Sequence, residues 1–157
     1  MRHVVLTTCL LLAACGSSEK SATVAGATFT SDESKGTSSI TTEQGTIRVA
    51  DGTDATKVVM PGYAPVYPGA SVTGVVETEN NGRKLKMVTL SSADPVAKVV
   101  EFYKGTLNKE GWKLPSSLIS GETGMISGQK DGKEVSIVVS REDDGKTNMV
   151  ISIPDNG

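Results

Sequence analysis

From Val72 onward the chain alternates apolar and polar residues with a period of two, and one stretch breaks into a helical period. Val72–Thr78 and Lys84–Leu90 read as strands. Asn80-Asn81-Gly82 between them is a tight reversal, because Asn-Gly tolerates the positive φ angles of a type I′ turn. Leu85, Met87 and Thr89 share one face of the second strand, and Lys84, Lys86 and Val88 the other. Asp94-Pro95 then opens the helix. Val96, Val99, Val100, Tyr103 and Leu107 form an apolar stripe, with Lys98, Glu101, Lys104, Asn108 and Lys109 facing out. Asp94 is placed to cap, and Pro95 suits the first helical position. Gly111 reads as the left-handed residue that closes the helix, and Trp112 as the residue that packs back on Leu107.

Strand patterns resume in Thr123–Lys130, Lys133–Arg141 and Thr147–Ile153, with turns at Asp131-Gly132 and Asp144-Gly145 and a further short strand at Leu114–Ile119. The order predicts an α+β two-layer sandwich. One helix, spanning about 94–110, covers one face of an antiparallel sheet of about four to six strands. The other face is expected to carry Lys, Ser, Thr and Glu and to be wet.

Two regions before residue 72 depart from this regularity. Residues 16–56 are rich in Ser, Thr, Gly, Ala and Glu, with few large apolar residues. That composition predicts a flexible tether, because it buries too little area to offset chain entropy. As a coil of about 41 residues it would reach roughly 35 Å. Partial alternation in Ala27-Thr28-Phe29-Thr30 and Thr46-Ile47-Arg48-Val49 leaves weak strands as the alternative. Residues 61–72, PGYAPVYPGASV, hold three prolines and two Pro-Gly pairs, and so predict an extended, kinked surface arm. Tyr67 and Val66 would plug one end of the core. Tyr63, Tyr67 and Pro68 are also the candidate contact residues for a partner, since tyrosine offers an apolar ring with a wet hydroxyl.

The N-terminus changes the picture most. Arg2 and His3 precede an apolar run from Val4 to Ala14, of signal-peptide length and far short of the ~20 residues that cross a bilayer. The run ends in Leu12-Ala13-Ala14-Cys15, which looks like a bacterial lipobox. Small residues let an extended backbone enter a peptidase cleft, and the Cys15 thiol can carry a diacylglyceryl group. Residues 1–14 are thus expected to be a lipoprotein signal, 15–56 a tether and 57–157 the folded domain. The membrane is the first expected partner, through covalent lipid, and the domain would face the periplasm. By resemblance to Gram-negative lipoproteins, the absence of Asp at position 16 implies the outer membrane.

Removing residues 1–14 from 157 leaves 143, with no histidine and no thiol other than Cys15. Cys/His metal sites, His-dependent nucleophilic catalysis and disulfides are excluded on that reading, and no cofactor or metal is expected. Losing Arg2 leaves 15 of the 16 basic residues against 18 acidic ones, well interspersed, which argues against nucleic-acid binding. Six aromatic residues in the whole chain make the core mainly aliphatic.

The segment PVYPGASV, followed about 30 residues later by DPVAKVVEFYKGTLNKEGW, resembles a group of small proteobacterial envelope lipoproteins. Those carry a Pro-x-Tyr-Pro-Gly-Ala motif, then a Phe-Tyr helix ending in Gly-Trp. The resemblance covers residues 61–112 and implies architecture and location, not an activity.

Carboxylates are the main chemistry left. Glu142-Asp143-Asp144 are consecutive, so they point apart rather than converge as a cation loop requires. Ser91-Ser92 and Ser116-Ser117 have no histidine to activate them, and Gly121–Gly124 lacks the Gly-Lys-Ser/Thr end of a phosphate loop. The expectation is therefore a non-catalytic binding module for an envelope protein or glycan. The alternative is a carboxylate-dependent hydrolase of envelope glycan or lipid, which would place two acids across a cleft.

Overall fold

Short turns set the architecture. Asn81 and Gly82 adopt φ 49° and 75°, and Asp131 and Gly132 φ 51° and 74°. These are the paired positive angles that match the right-handed twist of a hairpin. In the computed structural model, which describes residues 19–154, ten strands and two helices follow one another. The order is β1 (Glu19–Val24), β2 (Ala27–Asp32), β3 (Thr37–Thr42), β4 (Gly45–Asp51), α1 (Gly52–Ala55), β5 (Ser71–Asn80), β6 (Arg83–Ser92), α2 (Val96–Lys109), β7 (Lys113–Ser120), β8 (Thr123–Lys130), β9 (Lys133–Arg141) and β10 (Thr147–Pro154).

All ten strands belong to one antiparallel sheet, ordered β1-β2-β3-β4-β5-β6-β10-β9-β8-β7. The first six form a meander. The chain then crosses through α2 to the far edge, and β7 to β10 return until β10 pairs with β6 along Thr147–Pro154. The helix packs on β7, β8 and β9.

The expected α+β sandwich of four to six strands is overturned. The protein is mainly β, with a single ten-stranded sheet, and one substantial helix lies where the apolar stripe placed it. The count rises because residues 19–51, expected as a tether, form β1–β4. Composition alone misreads this stretch. Thr is a good strand residue, and paired threonines bridge the hairpins, Thr23 to Thr28 at 3.0 Å and Thr46 to Thr41 at 3.3 Å. Seven residues of β4 also pair with β5, so the four strands grow from an existing edge rather than forming alone. At Gly45 the two backbones approach so closely that a Cβ would collide with the Glu79 carbonyl.

The α2 stripe is buried as its spacing predicts: Val96, Val99, Val100, Tyr103 and Leu107 all point into the core. Beneath them lie Val88 and Leu90 of β6, Met149 and Ile151 of β10, Ile137 and Val139 of β9, and Ile126 of β8. Register explains why they meet, since Met149 sits between Leu90 and Val139, and Ile151 between Val88 and Ile137. At the helix end Gly111 takes φ 77°, Trp112 N–H donates to Leu107 O at 2.9 Å, and Gly111 N–H donates to Asn108 O at 3.0 Å. This is the double bond of a Schellman ending. The start differs from the expectation. Pro95 is the N-cap residue, and no side chain caps the helix. Asp94 is diverted, because its carboxylate accepts from the Tyr67 hydroxyl and from Lys98 Nζ.

The opposite face of the sheet is also unlike the expectation of Lys and Glu. Alternation and register place Phe29, Ile40, Ile47, Val76, Leu85 and Met87 there on β2–β6, and Val150, Val138, Met125 and Leu118 on β10–β7. Ser and Thr occupy most of the positions between them. Its charged residues stand at edges or strand ends, as with Lys20, Asp51, Arg83 and Glu134.

Candidate binding groove

The arm folds back on α2 through two Pro-Gly turns. Ala64 N–H donates to Pro61 O at 3.0 Å, and Ala70 N–H to Tyr67 O at 2.9 Å. In the second, Pro68 takes the position that wants fixed φ, and Gly69, at φ 79°, the position that wants a positive one. The Tyr67-Pro68-Gly69-Ala70 motif is thus a turn that aims Tyr67 inward. Tyr67 is only 3% exposed. Its hydroxyl donates to Asp94 Oδ2 at 2.7 Å, and its ring meets Phe102 edge-on at 5.1 Å. Next to it Tyr103 donates to Pro65 O at 3.0 Å.

This environment fixes a pH response. Burial, and then the hydrogen bond to Asp94, push the Tyr67 hydroxyl up to about 12. Because the folded state holds the neutral form, this contribution to stability is complete below pH 10 and is lost as pH rises toward about 12. The Tyr67 hydrogen bond, and then Lys98, hold the Asp94 carboxyl below the usual carboxylate range. That contribution is present at neutral pH and lost as acid protonates Asp94. Urea unfolding followed across pH 7 to 12 is expected to show a fall in midpoint above pH 10. Tyr67→Phe is expected to lower the neutral-pH midpoint and flatten that fall. An unaltered alkaline profile in the variant would show that Tyr67 does not cause it.

The candidate contact residues therefore separate. Tyr67 belongs to the core, and Pro68 is exposed on its turn. Tyr63 is half-buried, with its ring 4.5 Å from that of Trp112, and it lines a groove. Cys15 lies outside the described residues.

The groove has two arms, on either side of residues 58–61. One, about 450 Å³, lies between this segment and the helix-side face of β3–β6, with Ala50 and Val75 in its floor. The other, about 300 Å³, runs from Val59 past Tyr63 to Ile153 and Pro154 at the end of β10. Val59, 83% exposed, and Lys86 line both. Arg48 and Lys133 add cationic groups at the two ends, and no ion pair engages either among the described residues. The acids are held. Lys57 Nζ reaches Asp54 Oδ1 at 2.5 Å, and Lys86 Nζ reaches Glu77 Oε1 at 3.2 Å. A larger hollow of about 580 Å³ beside the Asp131-Gly132 turn has no apolar side chain in its lining.

Of the residues lining the groove, the sequence singled out Tyr63 and not Val59, Arg48, Lys86 or Lys133. Only the Arg48–Glu77–Lys86 row of cross-strand partners carried a signal, and it is visible only once β4, β5 and β6 are in register. Among the described residues no group of three or more His, Cys, Asp or Glu side chains is placed to hold a metal ion. No helix among them is long and apolar enough to cross a membrane. Glu142 and Asp144 sit on the β9–β10 connection, where Asp144 Oδ1 accepts from Lys146 N–H at 2.9 Å.

No curated protein and no solved structure matches the chain. A family model described as START domain-like matches residues 71–146, a little under half of the chain, taking in β5 to β9 together with α2.

Proposed function

We propose that this chain is a lipid-anchored, non-catalytic binding module of the bacterial envelope, held at the membrane through Cys15 and facing the periplasm. The groove around Val59 is its contact site. One observation carries binding over catalysis: the groove's two acids, Asp54 and Glu77, are each engaged by a lysine in a trough open to solvent. A hydrolase would need a pair of carboxyls confronting each other across a substrate. The START domain-like match favours a binding role in the same direction.

The lining describes the partner. Val59, Met60, Tyr63 and Ile153 offer apolar walls, and Arg48 and Lys133 offer positive charge. An elongated envelope component with apolar and anionic groups fits this pattern, with the apolar part supplying affinity and the charges orientation.

A photoreactive residue at Val59, introduced in living cells, tests this. A discrete cross-linked species is expected, absent when the residue is moved to Asn108 on the outer side of α2 and diminished by Lys133→Glu. The same diffuse pattern at Val59 and Asn108 would remove the groove as the contact site.

A further inference from the structure

The first four strands present two dissimilar faces. On one, Ala22 stands beside Phe29, Phe29 beside Ile40, and Ile40 beside Ile47, a row running across the strands. Phe29, Ile40 and Ile47 are 44%, 40% and 44% exposed, and Val24 at the end of β1 is 64% exposed. Around the row stand Ser31, Ser38 and Thr42, with charge only at Lys20 on the edge strand and Asp51 at the end of β4. The reverse face of the same strands carries Glu19, Asp32 and Arg48. There Lys35 Nζ and the Ser34 hydroxyl both bond the Asp32 carboxylate, at 2.8 and 2.6 Å.

We infer that the Phe29–Ile40–Ile47 row lies against the lipid bilayer. The inference rests on acylation of Cys15, the reading given above. What brings the bilayer to this face is the shortness of the link. Residues 16–18 alone separate Cys15 from Glu19, so four Cα steps span at most about 14 Å even when fully extended. A domain on a 41-residue coil could stand clear of the headgroups, but one on three residues brings its β1 edge down to them. Once there, the face of the row meets lipid with charge only at its margins, Lys20 and Asp51, whereas the reverse face would bury Glu19, Asp32 and Arg48. Strand twist limits the contact to this end of the sheet. At roughly 20–25° per strand, β1 to β4 turn through about 60–75°, whereas the full ten strands turn through about 180–225°. Val138, Met125 and Leu118 on the far half therefore face away from the same plane.

The mature chain contains no free thiol, which makes single spin labels clean reporters. The acylated full-length product is purified and placed in vesicles of phosphatidylethanolamine and phosphatidylglycerol. Nitroxides are carried at Phe29→Cys and Ile40→Cys on the row, and at Thr30→Cys and Ser39→Cys on the reverse face. Collision with membrane-dissolved oxygen is expected to exceed collision with a water-soluble nickel chelate several-fold at 29 and 40, and the opposite at 30 and 39. Equal access by the chelate at all four sites would overturn the inference, and so would shielding of 29 and 40 from both reagents, the mark of a protein covering the row. An acyl mass on Cys15 in the same sample, with all four labels in water, would overturn the inference alone. A free Cys15 thiol would overturn the anchor and the inference together.

Discussion

Trp112→Ala is expected to cost about 3–5 kcal/mol, the range for emptying the space of a large buried ring. The indole at the end of α2 is only 6% exposed and lies against the arm and β8. The Tyr63 ring of the arm lies tilted against it at 4.5 Å, and its Cε3 stands over Gly128 of β8, where an added Cβ would meet it at 3.4 Å. Truncation therefore leaves a cavity where arm, helix and sheet meet, and all three loosen together. Trp112→Phe, which keeps a ring, is expected to lose a fraction of that. Urea unfolding by circular dichroism measures both, since the variants lack the fluorophore. An unchanged midpoint for Trp112→Ala would mean the ring holds nothing in place.

The second large effect falls on a residue with no side chain. Gly124 lies in the middle of the α2–β8 contact, and a Cβ built on it comes within 2.5 Å of Val100 Cγ2 and 3.3 Å of Val96 Cγ1. Strand glycines weaken a sheet unless something needs the space, and here the helix does. Gly124→Ala must push α2 off the sheet or twist Val100 from its rotamer, a cost of about 1–3 kcal/mol, with Gly124→Val above it. The cause is separable from strand propensity. In a Val100→Ala background the added methyl has room, so the two changes together are expected to cost less than their sum by about 0.5–3 kcal/mol. Strict additivity would show that the helix does not press on Gly124.

These two positions also mark what the sequence disclosed. The helix was legible because five apolar residues fall on one side of it and Gly111-Trp112 close it by local rules, which need no knowledge of the rest of the fold. Asn81-Gly82 and Asp131-Gly132 were legible for the same reason. The first hairpin was not. It turns on Ala25-Gly26, with alanine at φ 49°, where a pattern reading looks for Asn or Asp. The hairpin of β3 and β4 turns on Glu43-Gln44, which carries no turn signal at all. Each of β2, β3 and β4 brings one or two large apolar residues to the row, too few to register along the chain and evident only across it. The groove was hidden by the same limit. Tyr63 stood out as an aromatic in a proline-rich arm. Arg48, Val59, Lys86 and Lys133 come from β4, the segment before the arm, β6 and β9, and only the completed sheet assembles them. Tyr67 carried two readings, a plug for the core and a contact residue, and it is the plug, with its hydroxyl spent on the Asp94 carboxylate.

Both the proposed envelope role and the proposed orientation of the first four strands rest on acylation of Cys15. Intact-mass and N-terminal peptide analysis of the native product measures that directly. Residues 1–14 are expected to be gone, with Cys15 the first residue and heavier by a diacylglyceryl group. A retained leader, or Cys15 with an unmodified thiol, would overturn the lipid anchor and the orientation built on it.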